Sequence, residues 1–405
     1  MSILLFITGL ILFIGLVVVH EYGHFIAARR GGVEVEEFGI FFPPRLYKRK
    51  MRGGWNFTIN LLPLGGFVKL KGEHDSDTEH GSFGAASLKT KSKIMVAGVF
   101  MNLATALALL TLLALVGMPK LLDNQFSVKS DTKVVSQKVL VGSVEPGSPA
   151  AKAGLKSADQ IVAMGPKGQH LTPVVDSKSL PNLTQKYAGQ TVTIEYSRSG
   201  HAPQKTSATL LGSQEVISSQ KDYAKRYAAA KSCQNVAPPK GYLGLMPAAY
   251  VTQRSTWSAP ITAIGLSAQI TALTLKGLGS ALGGLGSTIA GIVTGNSTAR
   301  QNGECVASSQ VSGPVGIFFI IKTGSLLGVQ YMLMIIAIIS LTLAIMNILP
   351  IPALDGGRLW MTLISRGIFK KSISAHREEV INASGFIVLI LLIIVITFVD
   401  VKRHF

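Results

Sequence analysis

Apolar residues dominate four stretches, 3–24, 94–117, 329–349 and 384–399, each near the roughly 20 residues that a helix needs to cross a hydrocarbon core. Between the first two the pattern changes. Trp55, Phe57, Ile59 and Leu61 alternate with Asn56, Thr58 and Asn60, the period of a strand, and Phe67 to Leu70 offers another. Glycine and proline punctuate the whole region 34–73, so a small membrane-associated β-sheet is expected. Non-helical backbone at membrane depth is tolerated only where protein covers it or a wet cavity borders it. Such a sheet also presents an exposed edge, which suits capture of an extended peptide.

The long interval after the second apolar run divides in two. Residues 126–247 are mixed in composition, as in one small α+β domain. Within it, Val141 to Met164 predicts a strand, a Gly/Pro turn, a short helix capped near Ser148 and stopped by Gly154, and a further strand through Ile161. Thr191 to Ser197 alternates again, and Gly241 to Leu245 either closes a sheet or forms a carboxylate-binding nest of amides. Residues 248–328 contain a Gly/Ser/Thr-rich apolar segment, Trp257 to Gly295, whose one charge is Lys276. A single crossing there would turn the third run the wrong way, so the segment crosses zero times or twice. Its glycine and polar content favours zero, an interfacial helix. The expected fold class is therefore a multi-span α-helical membrane protein with four transmembrane helices, organised as 1–117, 126–247, 248–328 and 329–405.

Composition agrees with a membrane protein: 405 residues, only 15 % charged, and a mean hydropathy of +0.40. The first run has no basic residue before it and no small-residue cleavage site after it, so it reads as a retained helix. Arg29 and Arg30 follow the first run, Lys89, Lys91 and Lys93 precede the second, and Arg358, Arg366, Lys370, Lys371 and Arg377 lie between the third and fourth. Those ends should be cytoplasmic, leaving both termini and residues 119–328 outside. The formal charge of +18 is spread along the chain, which fits anionic lipid at the membrane surface better than nucleic acid. The two cysteines, Cys233 and Cys305, fall in the outer region, where the compartment permits a disulfide; a pair of free cysteines is equally compatible.

The chemistry begins where the first run ends, at His20-Glu21-Tyr22-Gly23-His24. Positions four apart share a helix face, so His20 and His24 can offer two imidazoles to one metal ion, with Glu21 beside it as general base. Catalytic zinc takes three protein ligands, and this motif is one short. Asp355 is the natural third: it follows the third run in Asn347-Ile348-Leu349-Pro350-Ile351-Pro352-Ala353-Leu354-Asp355-Gly356-Gly357, where prolines break the helix and two glycines allow a sharp turn. Gly98 and Asn102, one face of the second run, read as helix packing. A non-catalytic zinc-binding or scaffolding protein gains nothing from Glu21. A transporter would want ionisable residues on several spans, and here they are confined to two helix ends.

Together these motifs resemble the site-2 protease family of intramembrane zinc metalloproteases, in its bacterial branch with an extracytoplasmic PDZ domain. The resemblance also covers HFIAARRGGVEVEEFGI, LPLGGFVKLKGE, PGSPAAKAGLKSADQIV and SGPVGI at Ser312 to Ile317. It implies that His20, His24 and Asp355 hold Zn2+, that Glu21 is the catalytic acid/base, and that Asn347 holds substrate backbone. It further implies a bacterial cytoplasmic membrane location and substrates that are single-pass membrane proteins already trimmed by another protease, commonly anti-sigma factors or remnant signal peptides. The PDZ-like part is implied to exclude untrimmed ectodomains. Three departures stand out: Gly98-Val99 where the family often has Gly-Pro, Arg358 where many members have histidine, and Ser157-Ala158-Asp159 where Pro-Gly-Asp is usual.

Overall fold

The computed structural model describes residues 2–198, 200–229, 238–309 and 313–404. Cys233 lies outside them, so the pairing of the two cysteines does too, as does Ser312 of the SGPVGI stretch. From the N-terminus the elements are α1 (Ser2–Arg30), β1 (Val35–Lys50), β2 (Asn56–Leu70) and α2 (Leu88–Val116), then β3 (Met118–Pro119) and β4 (Lys133–Val144). An outer unit continues with α3 (Pro149–Lys152), β5 (Gln160–Pro166), β6 (Thr172–Pro173), α4 (Ser179–Lys186), β7 (Thr191–Ser197), β8 (Gln204–Thr209), α5 (Ser213–Ala229) and β9 (Leu245–Arg254). Then come α6 (Ala259–Thr294), α7 (Ser297–Ser309), α8 (Pro314–Leu327), α9 (Val329–Ile348), α10 (Asp355–Thr362), a π-helical turn at Leu363–Ile368 and α11 (Ala375–His404).

Among the described residues five helices are long and apolar enough to cross a membrane: α1, α2, α6, α9 and α11. Four are the expected runs, and three of them, α1, α2 and α11, are extended at their polar ends. The fifth, α6, is the segment read as interfacial, and its 36 residues form one helix because the alanines and leucines between its glycines carry helix propensity. Small residues set how closely the helices approach. A side chain at Gly23 would meet Ala97 O at 2.6 Å, so α1 and α2 cross backbone to backbone. Ser340 Oγ donates to Asn102 O at 2.8 Å and Gln330 Nε2 to Val116 O at 3.4 Å, which fixes α9 antiparallel to α2. Leu110, Leu113, Ala263, Leu266, Met334 and Leu341 pack between α2, α6 and α9.

The sheet of β1 and β2 forms where the period-two pattern predicts it. Phe38 lies between Phe57 and Val68, so residues 35–40 are the middle of the sheet and 66–70 an edge. The polar members of the alternation point inward: Thr58 and Asn60 are buried, bonding Glu37 Oε1 at 2.7 Å and Phe41 O at 3.0 Å. Next to a bilayer the apolar face need not be the protein's inner face.

The outer sheet runs β3-β9-β4-β5-β7-β8, with β6 on β5, around a core of Val139, Val141, Ile161, Met164, Val192 and Ile194. Ser148 caps α3, its Oγ accepting from Ala151 N at 3.2 Å, as the pattern predicts. The sheet extends to Arg254, beyond the expected boundary at residue 247, because β9 pairs along β4 from Val144 to Lys133. It joins the helices directly: Ser255 N donates to Ala114 O at 2.7 Å and Arg254 Nε to Leu115 O at 2.8 Å. Ala158 holds φ +68°, a left-handed conformation that glycine adopts freely and alanine does not.

Candidate metal centre

Three side chains from opposite ends of the sequence meet at one point. His20 Nε2 and His24 Nε2 lie 3.2 Å apart, and Asp355 Oδ2 lies 2.9 Å from the first and 3.1 Å from the second. The side chains of His20, His24 and Asp355 are 10 %, 12 % and 27 % exposed, so the cluster is enclosed on most sides with one approach left. Two imidazole nitrogens and one carboxylate oxygen aimed at a common centre are the donor set of catalytic zinc, which takes three protein ligands and keeps a fourth position open. The residues present fit the metal.

Local sequence explains the convergence. His20 and His24 are one turn apart on α1. Asp355 enters in the first turn of α10, where a carboxylate is favoured by the helix dipole. The two glycines after it do not make the sharp turn that the sequence suggests. The left-handed residue is Ala353, with φ +72°, and the glycines are helical. Their part is close approach: a side chain at Gly356 would collide with Leu349 O and one at Gly357 with Ile351 O.

Asn347 occupies the last turn of α9, half-buried, eight residues before Asp355. Glu21 sits against the edge strand, where a side chain at Gly66 would meet its Cγ at 3.3 Å. The carboxylate is therefore flanked by the histidines on one side and strand 66–70 on the other.

Helix α2 contributes what the sequence reading assigned to packing alone. A side chain at Gly98 would collide with His24 Nε2 and lie 2.6 Å from His20 Cε1, so glycine there makes room for both rings. Ile94 O is 2.8 Å from His24 Nδ1, and the Asn102 amide nitrogen is 3.3 Å from His20 Nδ1. When Nε2 faces a metal, Nδ1 carries the proton and needs an acceptor. Ile94 O serves His24. For His20 the acceptor is Asn102 Oδ1, which is buried without a partner and reaches Nδ1 by a half-turn of the amide. In the sequence Ile94, Gly98 and Asn102 show only as positions spaced by four on one helix face, which packing against another helix would equally explain.

Below the cluster lies a buried ionic knot. Lys91 Nζ bonds Asp75 Oδ1, Arg366 Nε bonds Asp75 Oδ2 at 2.9 Å, and Glu378 Oε2 accepts from Asp75 N at 2.9 Å. Burial alone would raise the Asp75 carboxyl, but the hydrogen bonds from Lys91 and Arg366 outweigh it and hold the group below its ordinary value. Arg358 belongs here: its Nη2 donates to Glu73 O at 2.9 Å.

A family model described as peptidase family M50 matches residues 8–392. The chain is 29 % identical over 395 residues to a protein of Clostridium perfringens named as a zinc metalloprotease, covering 98 % of each. One of Campylobacter jejuni, also named as a zinc metalloprotease, is 26 % identical over 96 % of this chain and 90 % of its own. A protein of Enterococcus faecalis named as a protease is 24 % identical over 98 % of this chain and 99 % of its own length.

Proposed function

The chain belongs to peptidase family M50, a family of zinc metalloproteases, and from that premise we propose that it is a site-2-type protease that cuts single-pass membrane proteins within or near the bilayer. The observation that carries the proposal is the meeting of His20, His24 and Asp355, with Glu21 beside them, at the end of a membrane-length helix. His20, His24 and Asp355 would hold the zinc, which when bound would acidify a water molecule and polarise the scissile carbonyl. Glu21 takes the water's proton and returns it to the leaving nitrogen. Ile94 O and Asn102 hold the imidazoles in the tautomer the metal needs. Asn347 is assigned to the substrate backbone on the family resemblance, and its place on the turn leading to Asp355 supports that role.

A transmembrane substrate arrives as a helix with its amides already bonded, so it must unwind before its carbonyl can be attacked. Strand 66–70 pairs on one side only and borders Glu21, which supports its receiving the unwound segment as an added strand. Four crossings, by α1, α2, α9 and α11, fit the antiparallel pairing of α2 with α9. The basic ends then lie in the cytoplasm and the outer sheet beyond the membrane. That sheet's strand, turn, capped helix and strand order from β4 to β5 supports the PDZ-like reading and a role in sieving untrimmed ectodomains. Previously trimmed anti-sigma factors and remnant signal peptides are the substrate classes that follow, and regulated intramembrane proteolysis is the process. A non-catalytic zinc scaffold is the rival reading, and Glu21 separates the two. Purified in detergent, Glu21→Ala should keep the zinc of the wild type and lose about 10²–10⁴-fold in cleavage of a single-span peptide. Unchanged cleavage sinks the mechanism.

A further inference from the structure

On the face of α1 away from the histidines, a cavity of about 430 Å³ opens between the helix and the β1–β2 sheet, lined by Tyr22, Phe25, Phe38, Tyr47, Arg49, Met51, Trp55 and Phe57. Phe25 is its floor, meeting Phe38 edge-on at 5.6 Å and Trp55 at 4.8 Å. Six of the eight lining residues are aromatic and none is acidic, so the cavity suits an apolar ligand and holds no carboxylate to pair with a cation. The Arg29 guanidinium lies over the Phe25 ring at 5.6 Å. Gly53, in the turn before Trp55, leaves room for it: a side chain there would meet Arg29 Nη2 at 3.3 Å. Among the described residues neither Arg29 nor Arg49 forms an ion pair, whereas Arg45, on the same strand as Arg49, is paired with Glu37 at 3.2 Å. Trp55 Nε1 is buried with no hydrogen-bond partner. An apolar hollow at the polar end of a membrane-length helix, rimmed by two guanidiniums that form no ion pair among the described residues, matches one amphipathic molecule: a tail to fill the hollow and an anionic head to meet the rim.

We propose that this cavity is a binding site for an anionic phospholipid, its acyl chain among Phe25, Phe38, Trp55 and Phe57 and its phosphate on Arg29 and Arg49. The site is separate from the metal centre, since Tyr22 and Phe25 project from α1 away from His20 and His24. The proposal rests on the chain spanning a bilayer and not on its cleaving anything. Tyr and Trp rings favour the headgroup level, and basic side chains there attract acidic lipid.

The test uses the full chain in phosphatidylcholine nanodiscs, with Trp257→Phe and Trp360→Phe so that emission reports Trp55. A minor fraction of brominated phosphatidylglycerol should quench Trp55 strongly, and the same fraction of brominated phosphatidylcholine only weakly. Each arginine is expected to contribute about a fivefold preference for the anionic lipid. Arg29→Gln with Arg49→Gln should therefore abolish the preference, whereas Lys48→Gln with Lys50→Gln, the same loss of charge outside the cavity lining, should keep it. Equal quenching by the two lipids overturns the proposal. So does equal loss in both double variants, which would mean diffuse attraction, or displacement of the lipid by a single-span peptide, which would make the hollow a substrate pocket. Zinc content, measured in parallel, stands or falls independently and keeps this outcome distinct from the protease reading.

Discussion

Asn102 shows how much one amide on a packed helix can decide. Its Oδ1 is buried without a partner on the amide that faces His20 Nδ1, and losing such a partner typically costs about 10–100-fold in metal affinity. Asn102→Ala should show that loss in a chelator competition, and Asn102→Asp, which keeps an acceptor, should recover most of it. Unchanged affinity in the alanine variant would return the residue to mere packing. Histidine spacing and the position of Asp355 could be read from the sequence because both obey local rules, four residues per turn and a proline-broken helix end. Asn102 and Gly98 could not, since a glycine and an amide one turn apart look the same whether they admit a neighbouring helix or a pair of imidazoles. Ala158 is a related case: the departure from Pro-Gly-Asp was visible, but only the backbone reveals that the position holds φ +68°.

Elements were most legible where periodicity was strong. Helices α1, α2, α9 and α11 follow the apolar runs, and the capped turn at Ser148 lies where its sequence places it. The sheet of β1 and β2 was legible as to period but not as to which face is buried, because lipid and protein interior make the same demand on an apolar side chain. The joint between elements near Asp75 was not legible at all, since its partners, Lys91, Arg366 and Glu378, are far apart in sequence. A carboxyl held below its ordinary value of 3.8 binds fewer protons folded than unfolded at acid pH. Its stabilisation is thus fully present above that value and is lost as the pH falls through the depressed one. Thermal unfolding in detergent should accordingly be steady near neutrality and weaken below about pH 4. Asp75→Asn should be less stable throughout, by about 3–5 kcal/mol, because Lys91 is left buried without its countercharge. It should also lack the part of the acid transition that Asp75 causes. An unaltered acid profile would remove Asp75 from it.

For the molecule as a whole, α2 ends and α9 begins side by side at Val116 and Gln330, which fits the proposed topology in which the chain between them leaves and returns on one face. Helices α7 and α8, at 13 and 14 residues, fall short of the roughly 20 needed for a crossing. The loop between β3 and β4 is bonded to the first third of α6, Gln269 Oε1 accepting from Phe126 N at 2.9 Å. With the native cysteines blocked, Trp257→Cys and Thr294→Cys should react with an impermeant maleimide from the same side of intact membranes. Labelling from opposite sides would mean that α6 crosses and would end the four-crossing topology.

The seam at Ala114, Leu115, Arg254 and Ser255 has a mechanical corollary. Those bonds weld the last strand of the outer sheet to the terminal carbonyls of the same helix that, three turns further on, braces His20 and His24 from behind. Strand and helix are bonded directly at this joint, so a load on the sheet that holds β9 would bear on the end of α2.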